Sequence, residues 1–179
     1  MSSPQAPEPV KLVVSIIADT RERIGMVIAR IAGRYGRPDI IGSVMNFVET
    51  DYYAAEMGER LQRRLITFER LIAPDHLPDV KIFTNAVEQD LSQNGKRTAN
   101  IDPGYLSRFH LVLATGKGFA HRPYLKEGIY ADLTLVYRDS RFEPLEWTYP
   151  DYAKEMFIGF LDRARSKYIM QLKEEEMVR

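Results

Sequence analysis

The sequence predicts a single α+β domain, and three patterns carry this prediction. An amphipathic helical stripe near the N-terminus lies between two β-type runs, a long alternating run in the second half is typical of a strand, and another apolar helical stripe ends the chain. The 179 residues, 45% of them hydrophobic, suffice for one well-packed core. We expect one sheet with a β-α-β-β-α first half, a hairpin-rich second half and a C-terminal helix packed on the sheet.

The first half begins with a strand, a helix and a second strand. Residues 11–18 form a β-branched apolar run, which is typical of a strand buried on both faces. Apolar residues then recur at helical spacing over 24–35, and Gly36 and Pro38 supply the stop. Composition typical of a strand resumes over 40–48, which predicts a β-α-β start.

Residues 60–72 fit two structures. Leu61, Leu65 and Phe68 match a helical stripe, whereas the run LITF is typical of a strand, and we favour the strand. A helix is predicted over 74–93, with a proline near its start and Asn-Gly at its end. Three polar residues share one face of this helix, which we interpret as exposed: Lys81, Asn85 and Glu88.

The second half predicts a hairpin and a terminal helix. Residues 109–115 form a short apolar strand, and 129–138 alternate between apolar and polar side chains. Asp139 and Ser140 then make a turn, from which 142–147 return antiparallel. An apolar stripe from Tyr152 to Tyr168 predicts the last helix.

We expect the globular domain to span residues 11–173. Residues 1–10 are rich in proline and predict a flexible tail, and the charged residues 174–179 predict a frayed C-terminus.

Composition excludes several classes of function. The 25 basic residues balance 25 acidic ones, so the chain lacks the net positive field that dominates nucleic-acid binding. No run approaches the roughly 20 apolar residues that span a bilayer. The absence of cysteine removes disulfides and thiolate chemistry and suits a reducing cytoplasm.

The most specific candidate site lies in a glycine-rich loop before the alternating strand predicted over 129–138. Histidine exchanges a proton near neutral pH, arginine offers a planar fork to a carboxylate or phosphate, and lysine adds charge. The loop combines these types in His121, Arg122 and Lys117, with Tyr124 beside them. The alternative is a solvated loop with surface ion pairs. Because GxxxxGK followed by Ser or Thr is absent, a standard P-loop is excluded.

Further polar residues on both sides of this loop extend the candidate site. Asp102 precedes Pro103-Gly104, which predicts a turn in which the carboxylate caps the backbone; the alternative is a catalytic carboxylate. Arg97 is a candidate anion ligand, and Tyr105 and Tyr130 are candidate pocket walls. Tyr130 shares a strand face with Asp132 and Thr134, which line either a cleft or the solvent face.

The three histidines, His76, His110 and His121, have no compact ligand spacing, so we predict no metal site. No GxSxG motif supports a hydrolase serine. No residue pattern names a cofactor.

Several separate motifs resemble one family. They are FVETDYYAAEMG at 47–58, TFERLI at 67–72, KIFTNAVE at 81–88, RTANIDPGYL at 97–106, HRPYLKEGIYADLTL at 121–135 and WTYPDY at 147–152. In these motifs the chain resembles the prokaryotic family named domain of unknown function 4416. The resemblance covers most of the chain and implies no activity.

Two functions remain open. The first is a small cytoplasmic ligand-binding protein or enzyme acting on an anionic molecule, including a nucleotide, with His121 and Asp102 moving protons. The second is a non-catalytic interaction or structural module built on tyrosine and arginine. RNA binding through a ferredoxin-like sheet ranks last, because the aromatic RNP motif is absent. The oligomeric state stays open.

Overall fold

One antiparallel sheet of nine strands occupies the centre of the computed structural model, which describes residues 3–48 and 53–178. The strands are β1 (Val10–Ala18), β2 (Pro38–Ile41), β3 (Met45–Phe47), β4 (Leu61–Ile72), β5 (Ala99–Leu106), β6 (His110–Thr115), β7 (Tyr124–Lys126), β8 (Ile129–Arg138) and β9 (Arg141–Pro144). The helices are α1 (Arg21–Tyr35), α2 (Ala54–Met57), α3 (Leu77–Asp90) and α4 (Glu155–Val178), with a 3-10 turn at Pro74–His76. The predicted α+β class is confirmed.

The strand order is β2-β4-β1-β5-β6-β8-β7, with β3 also paired to β4 and β9 to β8. Because β1 and β2 both run antiparallel to β4, they are parallel to each other, and α1 connects them. In the same way α3 connects β4 and β5, which both run antiparallel to β1. These two split β-α-β units form a ferredoxin-like arrangement, and the later strands extend the sheet beyond β5.

Helices cover both faces of this sheet. Along β1, Leu12 and Val14 point to the face on which α1 and α3 pack, and Val13 packs in the cluster that contains Phe157 and Leu161 of α4. This alternation follows from the period of two in a strand. The C-terminal helix therefore packs on the sheet as predicted.

The favoured strand over residues 60–72 is confirmed as β4. It pairs with β1 on one side and with β2 and β3 on the other. A helix here would leave the backbone groups of β1 and β2 without these partners, so tertiary pairing selects the strand.

The run over residues 40–48 does not form one strand. β2 ends at Ile41 and β3 begins at Met45, and Gly42 N donates to Leu65 O at 2.8 Å between them. A Cβ atom at Gly42 would lie 3.3 Å from the ring of Phe160, so the break lets α4 pack closely against the backbone.

The predicted turn at Asp102 is wrong, because residues 102–104 lie inside β5. β5 pairs with β1 along its whole length but with β6 only from Gly104 onward. Pro103, which has no N–H to donate, stands where the second ladder begins. A Cβ at Gly104 would lie 2.4 Å from Val112 O, so this crossing requires glycine. Asp102, Pro103 and Gly104 are residue types that usually form turns. In this protein they fit a central strand against its neighbours.

The predicted hairpin between β8 and β9 is confirmed. Its two-residue loop, Asp139 and Ser140, has φ angles of 45° and 65°, as the favoured hairpin turns require.

At the ends of the chain, Val10 already belongs to β1, and α4 continues through the charged residues to Val178. The helix predicted over 74–93 is divided into the 3-10 turn and α3. Among the described residues, no helix is both long and apolar enough to cross a membrane.

Candidate functional site

One end of the sheet gathers most of the polar residues that the sequence singled out. The antiparallel registers place Ala18 opposite Gln62 and Ala99, and Thr115 opposite Tyr130. The end of β1, the starts of β4 and β5, the end of β6 and the start of β8 therefore lie together. We term this region the polar end.

Five residues from the loop after β6, from β8 and from the segment before α4 form the His121 cluster: His121, Arg122, Asp132, Trp147 and Tyr149. Arg122 Nε donates to Asp132 Oδ2 at 2.8 Å, and its Nη2 donates to the Tyr149 hydroxyl at 3.2 Å. The His121 ring stacks on Trp147 with centroids 4.8 Å apart and an interplanar angle of 11°. His121 Nε2 lies 3.9 Å from Asp132 Oδ1 and is buried without a hydrogen-bond partner in the described part of the chain.

The positive charge of Arg122 is largely compensated by Asp132 within this cluster. The side chains of Arg122 and Asp132 are 10% and 8% exposed, so the ion pair lies mostly out of water. Burial lowers the pKa of Arg122, but the contacts with Tyr149 and Asp132 outweigh it and raise this pKa. An incoming anion would compete with Asp132 for the guanidinium.

The other candidates from the same loop lie next to the His121 cluster. The rings of Tyr124 and Tyr130 meet edge to face with centroids 5.3 Å apart. The carbonyl of Lys117 accepts a hydrogen bond from Arg122 Nη1 at 3.2 Å. The structure thus brings Lys117, Arg122, Tyr124 and Tyr130 into one neighbourhood around His121.

Asp102 and Arg97 belong to a different group of side chains, the Asp102 network, which consists of Glu56, Lys81, Arg97, Asn100 and Asp102. Asn100 Nδ2 donates to Asp102 at 2.8 Å, and Arg97 Nη1 donates to Asn100 at 3.3 Å. Arg97 Nε also donates to Glu56 at 2.7 Å, and Lys81 Nζ lies 3.8 Å from Asp102. Within residues 3–48 and 53–178, no hydrogen bond or ion pair joins this network to the His121 cluster.

The expectation that Lys81 and Glu88 are exposed is wrong, because both are buried against β5. Lys81 Nζ donates to Ile101 O at 2.8 Å, and Glu88 Oε1 accepts from Ile101 N at 2.6 Å. At Ile101, β6 does not pair with β5, so the backbone N–H and C=O on this edge have no strand partner. Side chains of α3 form these hydrogen bonds instead. Burial raises the pKa of Glu88, although Lys81 and the Ile101 N–H oppose the shift.

Tyr105 does not join either group. It packs with Leu77 and Val112 on the face of the sheet that α3 covers, and its ring lies 5.9 Å from that of His110. Asp102 points to the opposite face, since Ser15, its partner on β1, alternates with residues that pack under α1 and α3.

No sequence pattern points to Arg63 of β4, whose side chain is only 7% exposed. Its guanidinium carbon lies 4.7 Å from the ring centroid of Phe47 and 5.3 Å from that of Tyr152. Its Nη1 donates to Asp151 in a buried ion pair. Its Nε is buried and has no hydrogen-bond partner in the described part of the chain.

Arg63 also lines a cavity of about 70 Å³, which we term the Arg63 cavity. Nη1 binds Asp151, and Nε, on the other edge of the guanidinium, makes no hydrogen bond to any described residue. This edge is the fork that matches a carboxylate or a phosphate. The cavity is lined by Met45, Asn46, Phe47, Arg63, Asp151, Lys154, Met156 and Phe157.

Two tyrosines connect the Arg63 cavity with the Asp102 network. Tyr53 lies 5.9 Å from Phe47 between ring centroids, and Arg97 lies over the Tyr53 ring at 5.7 Å. Burial raises the pKa of Tyr53 and of Tyr152, and the charge of Asp102 adds to both shifts. Residues from the motif segments 47–58, 97–106 and 147–152, which are far apart in sequence, therefore meet at the polar end.

The metal-ligating side chains that the structure describes form no cluster at the polar end. No group of three or more His, Cys, Asp or Glu residues with the geometry to hold a metal ion occurs in the described ranges.

A protein-family model described as Domain of unknown function (DUF4416) matches residues 8–168 of the chain. No curated protein and no solved structure matches the chain significantly. Because the family model spans most of the 179 residues, from the start of β1 to the buried Tyr168 of α4, the chain belongs to the family of domain of unknown function 4416.

Proposed function

We propose that this protein binds a small molecule bearing a carboxylate or phosphate group, as a ligand-binding protein or an enzyme. The observation that carries the proposal is Nε of Arg63, which meets no acceptor among the described residues and belongs to a buried side chain that lines a cavity. A buried donor without an acceptor is costly, and a ligand oxyanion supplies two acceptors in matching geometry.

The charges around the Arg63 cavity favour an anion. Two of the lining residues, Arg63 and Lys154, are basic, and one, Asp151, is acidic. The cavity also lies beside the first turn of α4, which begins at Glu155. The N-terminus of a helix adds a partial positive charge.

The His121 cluster is a second place for the same function. Lys117 and Arg122 contribute positive charge there, and His121 is the group suited to exchange a proton with a bound substrate. Each arginine binds an aspartate, but we rank the Arg63 cavity first because Nε of Arg63 is buried without an acceptor among the described residues, whereas Nε of Arg122 donates to Asp132. Phosphate-bearing ligands include nucleotides, which would bind without a standard P-loop.

A cytoplasmic location belongs to this proposal. The chain has no cysteine, so it does not depend on an oxidising compartment for cross-links. The test is immunodetection after fractionation of the native host.

Thermal-shift and NMR titrations with inorganic phosphate, acetate, benzoate and adenosine monophosphate test the binding proposal. We expect at least one anion to bind at millimolar concentration and Arg63→Lys to weaken binding, because lysine keeps the charge but loses the fork. Arg122→Lys is the matched control and should keep most of the affinity. Failure of all four probes to bind, or loss of binding in the Arg122 variant alone, would contradict the Arg63 assignment.

A second candidate function is a protein-interaction module, as one observation favours it. Phe119, Trp147 and Tyr149 are 69%, 39% and 53% exposed and lie around Arg122. Aromatic residues with arginine are typical of binding hot spots. Light scattering of the purified protein tests self-association, and Tyr149→Ala should weaken any complex that this surface forms.

A further inference from the structure

Three buried side chains carry polar atoms that lack a hydrogen-bond partner, and we term them the three-donor site: Ser15, Arg63 and Tyr152. All three residues are more than nine-tenths buried. Ser15 Oγ, Arg63 Nε and the Tyr152 hydroxyl make no hydrogen bond to any residue in the described ranges. Because nearly all buried polar groups in folded proteins are hydrogen-bonded, three such atoms close together favour binding of a group from outside the chain.

The strand register brings these side chains to one face of the sheet. Ser15 of β1 pairs with Leu65 of β4, and Arg63 lies two positions before Leu65. Because side chains alternate along a strand, Ser15 and Arg63 point to the face on which Leu65 packs with α4. Tyr152 packs on the same face, and the guanidinium carbon of Arg63 lies 5.3 Å from the centroid of its ring. Residues from two strands and from the segment before α4 therefore form the site.

Each of the three unpartnered atoms is able to donate a hydrogen bond. The Nε of arginine always carries a proton, and so does a serine hydroxyl. Burial raises the pKa of Tyr152, and the charge of Asp102 adds to the rise. Arg63 and Ser15 lie close enough to oppose this rise in pKa but do not reverse it, so the phenol keeps its proton. The hydroxyls of Ser15 and Tyr152, although near each other, are not in hydrogen-bonding geometry.

We propose that Ser15 and Tyr152 are ligand-binding residues, which together with Arg63 hold one oxyanion group of the ligand through three donated hydrogen bonds. The inference rests on the proposed function for Arg63, whose guanidinium also lines the Arg63 cavity, and adds two hydroxyl donors to it. An ionised carboxylate or phosphate offers several lone pairs and satisfies three donors at once. Because hydroxyls also accept hydrogen bonds, a buried water that links the same atoms is the competing arrangement.

Removal of each hydroxyl separates the two arrangements by its effect on stability. Ser15→Ala and Tyr152→Phe each delete a hydroxyl that has no partner in the unliganded protein, so both variants should melt at or above the wild-type temperature. Tyr168→Phe is the matched control, because the hydroxyl of this buried tyrosine donates to Pro9 O at 2.8 Å. Loss of that hydrogen bond should lower the melting temperature by roughly 2–4 °C.

The same variants should weaken anion binding. NMR titration with inorganic phosphate, acetate, benzoate and adenosine monophosphate measures the dissociation constants. For each anion that binds the wild type, Ser15→Ala and Tyr152→Phe should each raise the dissociation constant about tenfold, because a hydrogen bond to a charged group is lost. Tyr168→Phe should leave the dissociation constant unchanged. Acetamide and benzamide keep the shape of the two carboxylates but carry no charge and present N–H donors, so neither should bind at the concentrations that saturate the protein with its anion.

The outcomes separate this inference from the proposed function. If anion binding depends on Arg63 but is unchanged in both hydroxyl variants, the binding function stands and the three-donor site is overturned. If Ser15→Ala and Tyr152→Phe lower the melting temperature as Tyr168→Phe does, the hydroxyls already have partners such as a buried water, which also overturns the inference. Equal binding of an amide and its carboxylate would overturn the requirement for an oxyanion. If none of the four anions binds at millimolar concentration, both proposals fail together.

Discussion

Asp132 accepts a hydrogen bond from Arg122 Nε at 2.8 Å with one carboxylate oxygen, and its other oxygen lies 3.9 Å from His121 Nε2. One side chain of β8 thus binds Arg122 of the loop that follows β6 and lies close to the preceding residue, His121. Because both members of the Asp132–Arg122 pair are about nine-tenths buried, the loop is attached to the sheet by a charge pair that is shielded from water.

Removing one partner of this pair should be costly. Asp132→Ala leaves a largely buried guanidinium without its carboxylate, and we expect the free energy of unfolding to fall by about 3 kcal/mol. Urea denaturation measures the change. In a double-mutant cycle, Asp132→Ala with Arg122→Ala should lose clearly less than the sum of the two single variants. Additive losses would show that the two residues do not stabilise each other.

Gly104 is the position where the sheet tolerates no side chain. A Cβ there would lie 2.4 Å from Val112 O and 2.7 Å from a methyl carbon of Leu113. We expect Gly104→Ala to lower the free energy of unfolding by roughly 1–3 kcal/mol or to shift β6 away from β5. Gly116→Ala is the matched control, because its Cβ would meet nothing within 4 Å. Equal stability of the two variants would contradict this account.

Local patterns in the sequence predicted the elements whose structure is decided locally. The alternation over 129–138 and the Asp139-Ser140 turn predicted β8 and its hairpin, because burial on one face and the turn conformation both leave a mark in sequence. The sequence of β5 has no local pattern that predicts a strand. Its polar and turn-forming residues are acceptable only because Lys81 and Glu88 of α3 complete its edge.

The candidate site was predicted only in part, because contacts between residues far apart in sequence leave no local pattern. The sequence alone predicted that three cationic or titratable residues lie near each other in space, because they are close in sequence: His121, Arg122 and Lys117. Arg63 stands next to another arginine in a strand, which resembles an exposed face, and its partner Asp151 lies 88 positions away. Only the fold reveals that this arginine is buried beside a cavity.

Glu88 should make stability depend on pH in a direction opposite to that of most carboxylates. Burial raises its pKa in the folded protein, so the folded state favours the protonated form. Its stabilising contribution is complete below the ordinary glutamate pKa and is lost as the pH rises through the higher folded pKa. Glu88→Gln keeps an oxygen that can accept from Ile101 N but does not ionise, so this loss should disappear.

Urea denaturation of wild type and Glu88→Gln between about pH 4 and pH 8 tests whether stability changes with pH in this direction. The stability of the variant relative to wild type should increase with pH. Glu143→Gln, at a half-buried position of β9, serves as the comparison. A relative stability that decreases with pH would mean that Lys81 and the Ile101 N–H outweigh burial.

Trp147 should report its contact with His121 by fluorescence. It is the chain's single tryptophan, its ring stacks on His121 at 4.8 Å, and its Nε1 donates to Leu133 O at 2.8 Å, which fixes its orientation. Because the imidazole covers one face of the indole, His121→Ala should admit water to that face and shift the emission maximum to longer wavelength. His76→Ala, on the 3-10 turn before α3, should leave the emission maximum as in the wild type. Equal emission maxima for the wild type and His121→Ala would show that the stacked pair does not form in solution.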